Sequence, residues 1–97
     1  MEVRYVDSKL EAICTDERRM RRALNATVAK ALKRRLTELY RFDSFDDLLA
    51  GTGRWERLRA NRSGQWSARL DKNWRLIVID EGGSPVVARV IDIVDYH

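Results

Sequence analysis

A switch of hydrophobic period at Gly51-Thr52-Gly53 divides this chain and decides its architecture. Before the switch, Leu24, Val28, Leu32, Leu36, Leu39 and Tyr40 recur at intervals of four, four, four, three and one. That spacing draws an apolar stripe along a helix from about Arg18 to Phe42, with Lys30, Lys33, Arg34 and Thr37 on its other faces. Asn25 and Thr27 weaken its first turns. After the switch, Trp66, Ala68 and Leu70 alternate with Gln65, Ser67 and Arg69, the period of a half-buried strand. A stripe on a helix and an apolar strand face bury each other, so the chain predicts helices packed on a sheet.

The remaining elements follow from local signals. Glu2 to Val6 alternates and reads as a short strand at a sheet edge. Ser8 with Glu11 is a capping box opening a helix to about Thr15, and Ser44 with Asp47 caps a single turn through Leu49. Trp55, Arg57 and Arg59 share one face of a strand, ended by the turn residues Asn61 to Gly64. Trp74 to Ile79 is apolar on both faces, which predicts a central strand. Asp71-Lys72-Asn73 and Glu81 to Pro85 are reversals, and Val86 to Val94 is the last strand. The expected fold is α+β: an N-terminal strand and two helices on a mainly antiparallel sheet of four or five strands. It forms one domain over residues 1–97.

Composition narrows the function. Hydrophobic residues are 44% of the chain, enough for a core, and Trp66 and Trp74 alternate as core residues while Trp55 stays open to base stacking. Cys14, the single cysteine, has no partner for an internal disulfide and reads as a small core hydrophobe in a reducing compartment. Charged residues follow Met1 where a secretory signal needs an apolar block, and no apolar run approaches a membrane span. These observations predict a cytoplasmic protein with no membrane partner.

The formal charge is +4, but its distribution says more. Between Glu17 and Arg35 the cations Arg18, Arg19, Arg21, Arg22, Lys30, Lys33, Arg34 and Arg35 face one anion, Glu17. Between Arg54 and Arg75 the cations Arg54, Arg57, Arg59, Arg62, Arg69, Lys72 and Arg75 face only Glu56 and Asp71. Such segregation suits a polyanion-binding surface, and it suits a solvated helix face as well. The only histidine, His97, stands at the far end of the chain from Cys14, so there is little from which to build a metal cluster or a nucleophilic triad. No metal and no cofactor is expected.

Leu58 to Ser67 (Leu-Arg-Ala-Asn-Arg-Ser-Gly-Gln-Trp-Ser), Asn73-Trp74-Arg75-Leu76 and the closing Asp95-Tyr96-His97 resemble the HigB-type toxins. These belong to the RelE/ParE superfamily of bacterial toxin–antitoxin systems. The order of elements agrees along essentially the whole chain, and the specific motifs lie in Leu58 to Leu76 and the last three residues. The resemblance implies a ribosome-dependent mRNA endoribonuclease, an mRNA interferase that inhibits translation. It also implies a HigA-like helix-turn-helix antitoxin as partner in a hetero-oligomer, with the small ribosomal subunit and mRNA as targets.

Metal-independent RNA cleavage deprotonates the 2′-hydroxyl, stabilises the phosphorane and protonates the leaving 5′-oxygen, giving a 2′,3′-cyclic phosphate. The resemblance puts the catalytic histidine at His97, whose own carboxylate favours the protonated ring of a general acid. It puts the active-site arginine at Arg75, where residue type alone allows a buried ion pair or a phosphate clamp. Arg59 stands where the family commonly carries lysine. Arginine stays protonated, so Arg59 is expected to act electrostatically and not as a base.

Asp95 orients His97 or accepts a proton, and Tyr96 stacks on a base or completes the core. Arg57, Arg62, Arg69 and Lys72 are the expected RNA contacts. Arg18, Arg19, Arg22, Lys30, Lys33 and Arg34 are expected to meet ribosomal RNA, or to form a solvated face partly covered by antitoxin. Two other readings remain: a ParE-like toxin that acts on DNA gyrase without cleaving RNA, and an inactive RNA- or antitoxin-binding module of the same fold.

Overall fold

A computed structural model describes residues 1–96. Five strands, β1 (Glu2–Tyr5), β2 (Glu56–Arg57), β3 (Gln65–Arg69), β4 (Trp74–Asp80) and β5 (Val87–Asp95), form one sheet in the order β1-β5-β4-β3-β2. β1 runs parallel to β5, and every other neighbouring pair is antiparallel. The doubly apolar stretch is therefore the middle strand, and Glu2–Tyr5 lies at an edge, as the sequence predicts. The strand expected around Trp55 to Arg59 is pared to two residues, because the chain leaves the sheet after Arg57 for a 3-10 turn, Ala60–Arg62.

The helices are α1 (Ser8–Thr15), α2 (Glu17–Ala23), α3 (Ala26–Arg41) and α4 (Phe45–Leu48). Two expectations are corrected here. The cap of α1 is Asp7, whose carboxylate accepts the Leu10 N–H at 2.8 Å, so Ser8 is already inside the helix. The long helix is two helices: Leu24 is extended, and Asn25 accepts the Val28 N–H at 2.9 Å and restarts the helix as α3. Asn25 weakens a helix interior for the same reason that it makes a good cap, since its amide oxygen competes for backbone N–H groups.

Val28, Ala29, Leu32, Leu36 and Leu39 of α3 are buried against Trp66, Ala68, Leu76, Val78, Ala88 and Val90 on one sheet face. Cys14, Met20, Phe45 and Leu48 complete that core from the other helices. Burial of each large side chain contributes about 1.5–3 kcal/mol, so this layer holds the fold together. At the C-terminal end of α3 the Met1 amino group donates to the Leu39 and Phe42 carbonyls at 3.0 and 2.7 Å, tying β1 to the negative end of the helix. No described helix is long and apolar enough to cross a membrane.

A polar group sits where α3 meets the Gly51–Gly53 break. Arg35 and Glu38 are nearly buried and pair at 2.8 Å, and the Trp55 indole N–H donates to Glu38 Oε1 at 3.1 Å. A Cβ at Gly53 would lie 2.7 Å from Glu38 Oε1 and 2.8 Å from Arg35 Nη1, so any larger residue there would have to push these side chains aside. Arg35 is therefore an interior ion-pair partner and no part of the basic surface. Trp55, 5% exposed, is a core residue that cannot stack on a base.

Candidate functional site on the open sheet face

Strand alternation assigns each sequence-predicted side chain to a face. The face toward the helices carries Trp66, Ala68, Leu76 and Val78. On the other face Arg69, Arg75 and Val94 stand side by side across β3, β4 and β5, followed by Ser67 and Ile77, then by Gln65 and Ile79. Among the described residues no α-helix covers this open face, yet Ser67 is 2% and Ile77 0% exposed.

Arg75 is bound to backbone carbonyls of the turn that precedes its strand. Its Nη1 donates to the Asp71 and Trp74 carbonyls at 2.7 and 2.9 Å, and its Nη2 lies 3.4 Å from the Lys72 carbonyl. The guanidinium thus clasps the β3–β4 turn from the open face. Asp71 holds the same turn from within, accepting the Asn73 and Trp74 N–H groups at 2.8 and 2.7 Å, and these bonds keep its carboxyl below the usual carboxylate range. The guanidinium fork has more N–H groups than these contacts use, so it keeps donors for a further acceptor. Arg69 is exposed beside it, and Lys72 is exposed in the turn.

The far end of the face is built by the 3-10 turn. Arg59 precedes it and is exposed, and Ala60 takes a left-handed φ of 59°, a conformation that non-glycine residues occupy at a cost of about 1–3 kcal/mol. Arg62 Nη1 donates to the Tyr96 hydroxyl at 2.7 Å, and the Tyr96 N–H donates to the Asn73 carbonyl at 2.9 Å. This pairing joins two segments that sequence reasoning treats separately. Tyr96 is 52% exposed, so it does not complete the core. Asp95 is exposed opposite Trp74, on the alternate face from Val94. His97 lies outside the described residues.

Other expected contacts are elsewhere. Arg57 pairs with Trp66 in register, lies 5.2 Å over its ring and reaches Asp46 at 3.5 Å, on the helix side and away from Arg69 and Arg75. The expectation that Arg57 and Arg59 share one strand face fails because the strand ends between them. Arg18, Arg19 and Arg22 on α2 and Lys30, Lys33 and Arg34 on α3 are exposed on the helical layer, behind the sheet from Arg75. Glu17 bridges Arg21 and Lys33, joining α2 to α3, and these cations hold its carboxyl below the usual range. An open groove of about 310 Å³ lies on that side too, lined by Leu10, Ile13, Leu24, Trp74 and Ile93. Among the described residues no group of His, Cys, Asp and Glu is arranged to hold a metal ion.

No family model matches the chain, and no curated protein matches it. Solved structures do. The YoeB/ParE toxin from Agrobacterium tumefaciens superposes with a TM-score of 0.70 at 18% identity, over 100% of this chain and 99% of that one. The YoeB–YefM complex from Staphylococcus aureus gives 0.66 at 18% identity, over 100% and 97%. The YoeB dimer from the same organism gives the same values. The fold is that of the YoeB/ParE toxins, the helix-on-sheet arrangement expected from sequence.

Proposed function

We propose that this chain is the toxin of a type II toxin–antitoxin system and a ribosome-dependent mRNA endoribonuclease of the HigB kind. The observation that carries the reading is the open sheet face. Within a toxin-like fold it sets Arg69 beside Arg75, and Arg62 pairs with Tyr96, the residue before the chain's only histidine.

In the proposed reaction the 2′-hydroxyl gives its proton to solvent water, its oxygen attacks the adjacent phosphorus and the bond to the 5′-oxygen breaks, leaving a 2′,3′-cyclic phosphate and a 5′-hydroxyl. Arg75 and Arg69 stabilise the phosphorane, whose charge exceeds that of the ground-state diester. Arg59 lowers the energy of the developing 2′-alkoxide, and His97 protonates the leaving oxygen. Lys72 holds flanking phosphate, and the exposed cations of α2 and α3 hold ribosomal RNA.

The partner is a HigA-like helix-turn-helix antitoxin forming a hetero-oligomer with the toxin in the cytoplasm; the solved YoeB–YefM complex is a precedent for such pairing in a protein of this fold. Residues 1–97 act as a single toxin domain in this reading.

The test uses ribosomes programmed with a defined message. The expected result is a set of cuts, mapped by primer extension, that need the ribosome and vanish in His97→Ala and Arg75→Ala. Cleavage indifferent to both substitutions removes the site assignment. An intact message together with inhibited supercoiling by gyrase overturns the nuclease reading.

A further inference from the structure

A side-chain bond joins two segments that start at opposite ends of the open face. The 3-10 turn lies at the Gln65 end of β3, where the Asp80 N–H donates to the Gly64 carbonyl. Tyr96 lies at the opposite end, where its own N–H donates to the Asn73 carbonyl. Between those ends β4 runs from Trp74 to Asp80, about 20 Å at ~3.3 Å per residue. Arg62 and Tyr96, 34 residues apart, nevertheless meet at 2.7 Å. Two side chains alone do not span that distance, so the loop carrying the 3-10 turn must fold back toward Tyr96. Ser67 and Ile77, midway along the face, are buried although no described helix covers them.

We infer that Arg62 is a positioning residue that acts through its bond to the Tyr96 hydroxyl. This inference rests on the nuclease reading. Tyr96 is held at two points, its backbone N–H by Asn73 and its hydroxyl by Arg62. With one point removed, the half-exposed ring turns about its side-chain torsions. The proposed general acid is the next residue. Proton transfer depends steeply on placement, and an error near 1 Å costs up to about 10²-fold in rate. Sequence alone makes Arg62 an RNA contact, but its guanidinium is already engaged by a phenol.

The two roles separate in kinetics. A positioning role predicts that Arg62→Ala lowers kcat about 10- to 100-fold with KM nearly unchanged. It also predicts that Arg62→Lys restores part of the loss, and that Arg62→Ala has no further effect in a Tyr96→Phe background. A phosphate contact predicts the reverse: raised KM, a salt dependence shallower by about one in log–log slope, and an undiminished effect in the Tyr96→Phe background. That second pattern overturns the inference.

Amide exchange at Tyr96 gives a readout that needs no cleavage. Faster exchange in Arg62→Ala at unchanged global stability supports the anchor, and unchanged exchange removes it. Wild-type protein that leaves every message intact defeats the nuclease reading, while the exchange experiment still decides whether Arg62 holds the segment.

Discussion

Arg75 combines two duties that substitution can separate. Its bonds to the Asp71 and Trp74 carbonyls hold the turn, and its outward side is the proposed phosphate clamp. Arg75→Lys keeps the charge but loses the planar fork, so cleavage should fall by about 10²-fold or more, while stability falls by only about 1 kcal/mol. Single-turnover cleavage and urea unfolding on the same preparation check both. Loss of cleavage in strict proportion to unfolded protein would leave Arg75 only its structural duty. Asp71 supports the same turn by accepting two backbone N–H groups, which lowers its folded value below the ordinary 3.8. The sign follows directly: a lowered carboxylate stabilises the fold fully above its unfolded value, and that share is lost as pH falls through the folded one. Acid titration of wild type against Asp71→Asn should therefore show their stability difference shrinking below about pH 4.

At the scale of elements, α3 is held by its cap, its stripe and its buried ion pair. Asn25→Ala removes the side-chain acceptor for the Val28 N–H and should cost about 1 kcal/mol in urea unfolding. Leu32, fully buried, should cost about 2–5 kcal/mol as Leu32→Ala. Glu38→Ala strips the partner from both Arg35 and the Trp55 indole, leaving a nearly buried guanidinium alone. The expected loss is about 3–5 kcal/mol, read as a fall in thermal midpoint. A fall as small as that of an exposed substitution would show that water reaches the pair. The stripe was legible because four-residue spacing leaves little choice of face. The ion pair was not, because Arg35 stands in a run of cations and its burial depends on Gly53, eighteen positions away in sequence.

Across the molecule, cations occupy both sides of one sheet: Arg69 and Arg75 on the open face, and the arginines and lysines of α2 and α3 behind it. A polyanion that uses both must surround the protein and cannot merely lie against one side. Replacing Arg18, Arg22 and Lys30 with glutamine should then weaken association with ribosomes and flatten its salt dependence by about one in log–log slope per lost contact. Unchanged binding and slope would make the helical layer a solvated surface. Glu17 tempers that layer, since Lys33 and Arg21 are partly committed to it.

Sequence by itself determined the helix-then-strand layout, the edge and central strands and the apolar stripe. Each rests on a period read over neighbouring residues, and a period survives without knowledge of distant contacts. It also pointed to the arginines of the open face through their motif. Tertiary structure alone decided the break at Leu24 and the desertion of Arg57 to the helix side. It alone brought Arg35, Glu38 and Trp55 together and joined Arg62 to Tyr96. Those outcomes depend on which groups lie within about 3 Å after the chain has closed on itself, and that distance is set by packing.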